Sequence, residues 1–109
     1  MDDRELLKAA AKAAGVGPVL CYESARNCLH IGERTNYSLW RPLTDDGDAL
    51  RLAVRLGIAV SCRNSNAQAT YPLADGRFFA PCDEPADADP YAATRRAIVR
   101  AAAEIGRMR

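Results

Sequence analysis

The sequence has few of the features by which functional classes are usually recognised. It contains no uninterrupted apolar run near the roughly 20 residues that span a bilayer, which excludes a transmembrane helix. Its 15 Lys and Arg residues nearly balance its 14 Asp and Glu residues, so a formal net charge of +1 offers no overall field for nucleic acid or an anionic membrane. Glycine-rich phosphate loops, Ser-His-Asp spacing, zinc knuckles and paired-carboxylate motifs are all missing. These absences favour a protein that is not an enzyme and that uses no cofactor.

Composition predicts one small globular domain over 1–109, because hydrophobic residues make up 49% of the chain and charged residues 27%. The N-terminal segment is acidic and amphipathic, unlike a signal peptide, so we expect a cytoplasmic protein. In a reducing cytoplasm the four cysteines are expected to be free thiols rather than disulfides. They are Cys21, Cys28, Cys62 and Cys82.

Apolar residues at helical spacing predict three helices, near 3–14, 45–56 and 89–106. Each has an apolar stripe that we expect to face a core. The stripes are widened by further apolar residues, namely Leu7 and Ala14 in the first helix and Leu50 and Val54 in the second.

The second helix opens on a dense group of acidic residues. Thr44 occupies the position expected for the N-cap, and negative charge in the first turn stabilises the positive end of a helix. A metal or catalytic site is the alternative interpretation of these carboxylates, but the helix start already accounts for them. The three residues are Asp45, Asp46 and Asp48.

Six segments with the composition of strands lie between the helices: 18–23, 28–33, 37–40, 58–62, 69–73 and 77–82. Their connections are too short for crossovers, which makes the pairing antiparallel. Polar residues 63–68 are expected to form a turn, and 82–90 a linker. The sequence thus predicts an α+β fold, a helix-sheet-helix sandwich with a mainly antiparallel sheet of about four to six strands and three helices packed on it. Trp40 and Phe78 or Phe79 are predicted to lie in its core.

Two segments, WRPLTDDGDALRLAVRLGI (40–58) and ATRRAIVRAAAEIG (93–106), resemble the phage ABA sandwich domain of small bacteriophage and prophage proteins. That family shows a Trp and a Pro before an acidic turn that opens a helix, as at Trp40, Pro42 and Asp45, and it ends in an Ala- and Arg-rich helix. The resemblance implies a three-layer fold and a phage or prophage protein in the cytoplasm of a bacterial host. It implies no catalytic or binding residues.

Cys28 and His30 are expected to project from one face of a strand, and a hairpin would bring Cys21 near them. Three such ligands could hold zinc. The alternative is that each cysteine is simply a small buried apolar residue. A nucleophilic Cys-His pair oriented by Glu23 or Glu33 is a further interpretation, although no motif supports it.

The last helix is basic, and a strip of its arginines is a candidate contact for nucleic acid. With balanced charge and no interleaved aromatic residues, solvated side chains are the preferred interpretation. The candidate residues are Arg95, Arg96, Arg100 and Arg107. The sequence therefore predicts an accessory protein that acts by binding a host or phage protein, with a nucleic-acid-binding module as the alternative.

Overall fold

The computed structural model describes residues 1–63, 65–86 and 88–109, and for residues 79–81 it describes only the backbone. Three helices alternate with two groups of three strands, as predicted, and the helices match the predicted segments to within one residue. In chain order the elements are α1 (Asp3–Ala14), β1 (Val19–Glu23), β2 (Cys28–Glu33), β3 (Asn36–Trp40), α2 (Asp46–Leu56), β4 (Ala59–Cys62), β5 (Asn66–Pro72), β6 (Phe78–Pro85) and α3 (Pro90–Arg107).

The described strands form two three-stranded sheets rather than the single sheet that the sequence predicts. The orders are β1-β2-β3 and β4-β5-β6, and every pairing is antiparallel. The α+β class and the antiparallel pairing are therefore confirmed, and the single sheet is wrong. Short turns close each group of three strands on itself, while α2 stands between β3 and β4 in the chain. Local sequence specifies those turns but not whether the edge strands of the two groups meet.

Strands β5 and β6 reach into both segments that were expected to be irregular. Strand β5 begins at Asn66, inside the predicted turn 63–68, and β6 runs to Pro85, inside the predicted linker. The side-chain nitrogens Nδ2 of Asn66 and Nε2 of Gln68 donate to Oδ1 of Asp83 on the neighbouring strand, at 3.3 and 3.0 Å. Cross-strand contacts of this kind outweigh the low strand propensity of a polar segment.

Helix α3 is central to the fold, and its closest partner is α1. The two helices run in the same direction, because Arg96 donates to Asp3 at 2.9 Å while Arg109 donates to the carbonyl of Ala13 at 2.6 Å. Small residues allow a close approach. A Cβ placed on Gly106 would lie 2.0 Å from the carbonyl oxygen of Ala9. The other sides of α3 pack on β5, β6 and α2.

Each helix begins at an aspartate whose side chain accepts a backbone N–H. For α2 this residue is Asp45, whose Oδ2 accepts from the amide of Asp48 at 2.8 Å. The prediction of Thr44 as the N-cap is wrong by one residue, and Thr44 is exposed. Its own amide instead donates to the carbonyl of Arg41, which closes the turn before the helix.

Several large apolar side chains that were expected in the core lie at the surface. Leu50 is 64% exposed and Val54 74%, so their predicted burial is wrong. Phe78, one of the two phenylalanines of which either was expected in the core, is 57% exposed. The neighbours of α2 pack against only one side of it, the side that carries Ala49, Leu52 and Ala53. Trp40 is partly buried against the core, as predicted. Phe79 lies outside the described side chains.

No helix in the described ranges is both long and apolar enough to span a membrane.

Candidate functional site

Four exposed large apolar side chains lie on or beside α2. Leu50 and Val54, one helical turn apart, project from this helix, with Val60 of β4 and Tyr91 at the start of α3 on the side of Leu50. Tyr91 is 70% exposed. We call these four residues the α2 surface. An exposed apolar patch on a small domain is typical of a site that contacts another protein.

A first groove runs beside the α2 surface, between α2, the end of α1 and the end of β3. Its volume is about 610 Å³. The apolar part of its lining comes from α2 and its neighbours, and the residues are Ala14, Val16, Trp40, Leu50, Leu52 and Val54. Charged side chains at the groove come from α2, and they are Asp48, Arg51 and Arg55.

A second groove, of about 520 Å³, lies on the other side of Leu50, between α2, β4 and α3. Its apolar lining includes Val60, Tyr91 and Ile98. Leu50 lines both grooves and therefore forms the ridge between them. The side chain of Cys62 also lines this groove, 3.6 Å from the hydroxyl of Thr94.

The acidic residues at the start of α2 all bind groups within the chain. Asp45 caps the helix, as described above. Asp46 accepts from Arg95 at 2.6 Å, and Asp48 accepts from the Arg41 amide at 2.8 Å and from Arg51 at 2.6 Å. These contacts agree with the interpretation of the carboxylates as helix-start residues.

Arg55 differs from Arg51 and Arg95, the other arginines that line the two grooves. Within the described ranges no carboxylate lies within ion-pair distance of it, whereas Arg51 is held by Asp48. Arg55 lines the first groove beside Val54, so this groove has apolar walls and one uncompensated cation. A partner surface with apolar and acidic side chains would match both.

The four arginines predicted as nucleic-acid contacts each pair with an acidic side chain of the chain. The distances between the charged atoms are 2.6 Å for Arg95–Asp46 and 2.9 Å for Arg96–Asp3, Arg100–Glu84 and Arg107–Glu104. Arg96, Arg100 and Arg107 share a cleft of about 320 Å³ that also contains Glu84 and Glu104. Arg95 instead points to the start of α2. The structure thus brings three of the four together, in a cleft of mixed charge.

The predicted pair Cys28 and His30 also comes together, on the outer face of the first sheet. Their third neighbour is Glu23, whose Oε1 lies 3.0 Å from Nε2 of His30. The donor atoms of all three lie within 4.8 Å of one another. Cys21 pairs with His30 in the strand register but is exposed and lies outside this group.

The sequence predicted Glu23 only as a group that could orient a Cys-His pair, and not as a possible metal ligand beside Cys28. The signal was present in the hairpin, because the turn over 24–27 sets Glu23 opposite Cys28 in the register. Glu33 lies at the far end of β2, on the other face by strand alternation.

The ionisation of this cluster argues against a nucleophilic cysteine. Burial raises the pKa of the Cys28 thiol, and the thiol is completely covered. A reactive cysteine needs a lowered pKa and access to a substrate. The pKa of Glu23 is lowered to about 2, chiefly by the hydrogen bond from Arg26 and then by His30. Glu23 is therefore a carboxylate across the ordinary pH range.

Comparison of the chain with protein-family models, with curated proteins and with solved structures finds no match.

Proposed function

We propose that this protein acts by binding a partner protein, and that the α2 surface receives an amphipathic helical segment of that partner. The observation that carries the proposal is the exposure of Leu50 and Val54 between two apolar grooves. Burying such residues against a partner removes apolar area from water, which is the main favourable term in most protein association.

The chemistry of the grooves defines the occupant. An amphipathic helix presents apolar side chains at intervals of three or four residues, and such side chains would enter the grooves on both sides of the Leu50 ridge. An acidic residue beside them would pair with Arg55. We therefore propose a partner segment with an apolar stripe and a flanking carboxylate.

A phage or prophage origin, with the partner in the cytoplasm of the bacterial host, belongs to the same proposal. It is supported by the resemblance of 40–58 and 93–106 to phage ABA sandwich proteins. A small protein without recognised catalytic motifs is suited to act by binding.

Nucleic-acid binding through α3 is the second candidate, favoured by the shared cleft of Arg96, Arg100 and Arg107. Phosphate would have to compete there with Glu84 and Glu104. We therefore expect no appreciable retention of the wild-type protein on DNA or RNA at physiological salt. Retention that weakens steeply as salt rises would favour this candidate instead.

The test is a selection of displayed peptides of about 20 residues, taken from bacterial proteins, on the purified wild-type chain. Selected peptides should share an apolar stripe with an acidic flank. Direct titration should then show affinity reduced at least about tenfold by Leu50→Glu and by Val54→Glu, because each places a charge in the buried interface. Arg55→Glu should weaken the same peptides.

Met108→Glu is the matched control, since Met108 is also an exposed apolar residue but lies at the end of α3. It should leave the affinity unchanged. Peptides that bind Leu50→Glu as tightly as wild type would overturn the proposal. So would a concentration-dependent dimer of the chain alone that Leu50→Glu dissolves, because a second copy would then be the occupant.

A further inference from the structure

The outer face of the β1-β2 hairpin gathers three side chains of different donor chemistry. Glu23 and Cys28 are cross-strand partners, and His30 follows Cys28 on the same face of β2. They supply a carboxylate oxygen, a sulfur and an imidazole nitrogen. The α2 surface uses none of these residues, so the cluster is independent of the proposed protein-binding role.

We propose that Glu23, Cys28 and His30 form a three-residue zinc site. Their donor atoms lie within 4.8 Å of one another. Zinc binds sulfur at about 2.3 Å and nitrogen at about 2.0 Å. In a tetrahedral site these bond lengths place neighbouring donor atoms about 3.5 Å apart. Side-chain adjustments that move the donor atoms by about 1 Å would bring all three to that spacing.

The surroundings of the cluster hold its members in place. The ring of His30 stacks on Tyr37 of β3, with centroids 4.7 Å apart and planes inclined by 9°. Cys28 is completely covered, and Glu23 is steered by Arg26 of the turn at 2.7 Å. Oriented ligands of this kind are a recurring property of metal sites.

The charges also suit zinc. The Cys28 thiolate and the Glu23 carboxylate each carry one negative charge, and the imidazole of His30 is neutral. Together the three ligands balance the two positive charges of Zn²⁺. On binding, the Cys28 thiol gives its proton to solvent and the S–Zn bond replaces the S–H bond. Oε1 of Glu23, which faces His30, turns to the metal, while Oε2 keeps its hydrogen bond from Arg26. Thiolate and imidazole together select zinc over magnesium or calcium, which prefer oxygen ligands. With three protein ligands, the fourth position of the proposed site is left for water.

Proton competition at Cys28 makes the affinity depend on pH. Glu23 and His30 lie close to its thiol, and the charges of Arg26, Arg41 and Cys21 also act on it. Burial favours the protonated thiol most and the carboxylate of Glu23 adds to that effect, while Arg26 and Arg41 oppose it more weakly. Zinc affinity should therefore rise with pH across the neutral range.

The experiment uses the full chain and zinc alone, in competition with a chromophoric chelator. We expect one zinc ion per chain and a loss of affinity of at least about tenfold in Cys28→Ala, His30→Gln and Glu23→Gln, since even second-shell changes have effects of about that size. Cys82→Ala and Glu33→Gln are the matched controls, and Cys21→Ser tests the same face. All three should bind as wild type does.

Cobalt in place of zinc gives a second, spectroscopic measurement. The wild-type complex should show the sulfur-to-cobalt charge-transfer absorption of one thiolate, and Cys28→Ala, which removes the sulfur, should lose it. Wild-type protein that binds no zinc, or that shows no thiolate absorption with cobalt, overturns the proposal. Equal affinity in His30→Gln and wild type, or a loss in Cys21→Ser as large as in Cys28→Ala, also overturns it.

Discussion

Helices α1 and α2 have the same pattern of apolar residues but bury it to different extents. Leu7 and Ala14 widen the stripe of α1, and both are buried. Leu50 and Val54 widen the stripe of α2, and both are exposed. The periodicity of a helix therefore reports how much apolar surface it carries, while its neighbours decide how much of that surface is covered.

The neighbours differ in a way that explains the contrast. Helix α1 packs along α3 on one side and contacts β1 and β2 on another. Helix α2 packs mainly against α3. The apolar side of α2 that remains uncovered is the surface that we propose a partner occupies.

The largest expected difference is between Leu7→Ala and Leu50→Ala. Leu7→Ala removes buried methyl groups and leaves a cavity, so it should reduce the free energy of unfolding by about 2 to 5 kcal/mol. Leu50→Ala should change it by no more than about 0.5 kcal/mol, as is usual at exposed positions. Urea unfolding of the two variants beside wild type measures both values. Similar losses in the two would mean that Leu50 is covered in the free protein.

A smaller effect is expected from Gly106→Ala, which sharpens the comparison at the contact between α1 and α3. The new Cβ meets the backbone of Ala9, so the helices must separate, and overpacking of this kind costs about 1 to 3 kcal/mol. The matched control is Gly47→Ala in α2, where the new Cβ meets only side-chain ends, those of Arg51 at 3.1 Å and of Asp45 at 3.3 Å, and no backbone atom.

Gly47→Ala should be neutral or stabilising by up to about 1 kcal/mol, because alanine favours a helix more than glycine does. Thermal unfolding of Gly106→Ala and Gly47→Ala beside wild type measures the two changes in stability. A neutral Gly106→Ala would mean that α1 and α3 are packed less closely than described here.

How far the sequence predicts this fold depends on the range of the interactions concerned. Helix ends follow from local chemistry, as at Gly57, which ends α2 with a φ of 67°, and at Pro90, which opens α3. The extension of β5 to Asn66 depends on Asp83 in another strand, and the local sequence contains no sign of it. The division into two sheets is likewise a question of long-range pairing.

The features of the candidate sites likewise separate into those that local sequence predicts and those that depend on long-range packing. Cys28 and His30 share a face because strand side chains alternate, and the sequence predicted this correctly. Exposure of Leu50 was not predictable, because it depends on where α3 and β4 lie relative to α2. The ion pair of Arg96 with Asp3 joins the two ends of the chain in sequence, which no local pattern reveals.

The smallest expected effect concerns the start of α2, where Asp45 rather than Thr44 is the N-cap. Asp45→Ala should reduce the free energy of unfolding by about 1 kcal/mol, because the Asp48 amide loses its acceptor. Thr44→Ala should change it by less than about 0.5 kcal/mol, since its side chain is exposed.

Asp45→Asn keeps a capping oxygen but removes the charge 3.8 Å from Arg51. Its stability should stay near that of wild type, because asparagine caps about as well as aspartate. If Asp45→Asn instead loses as much as Asp45→Ala, charge rather than the capping hydrogen bond stabilises this helix start. A loss at Thr44→Ala equal to that at Asp45→Ala would place the cap one residue earlier, where the sequence pattern first indicated it.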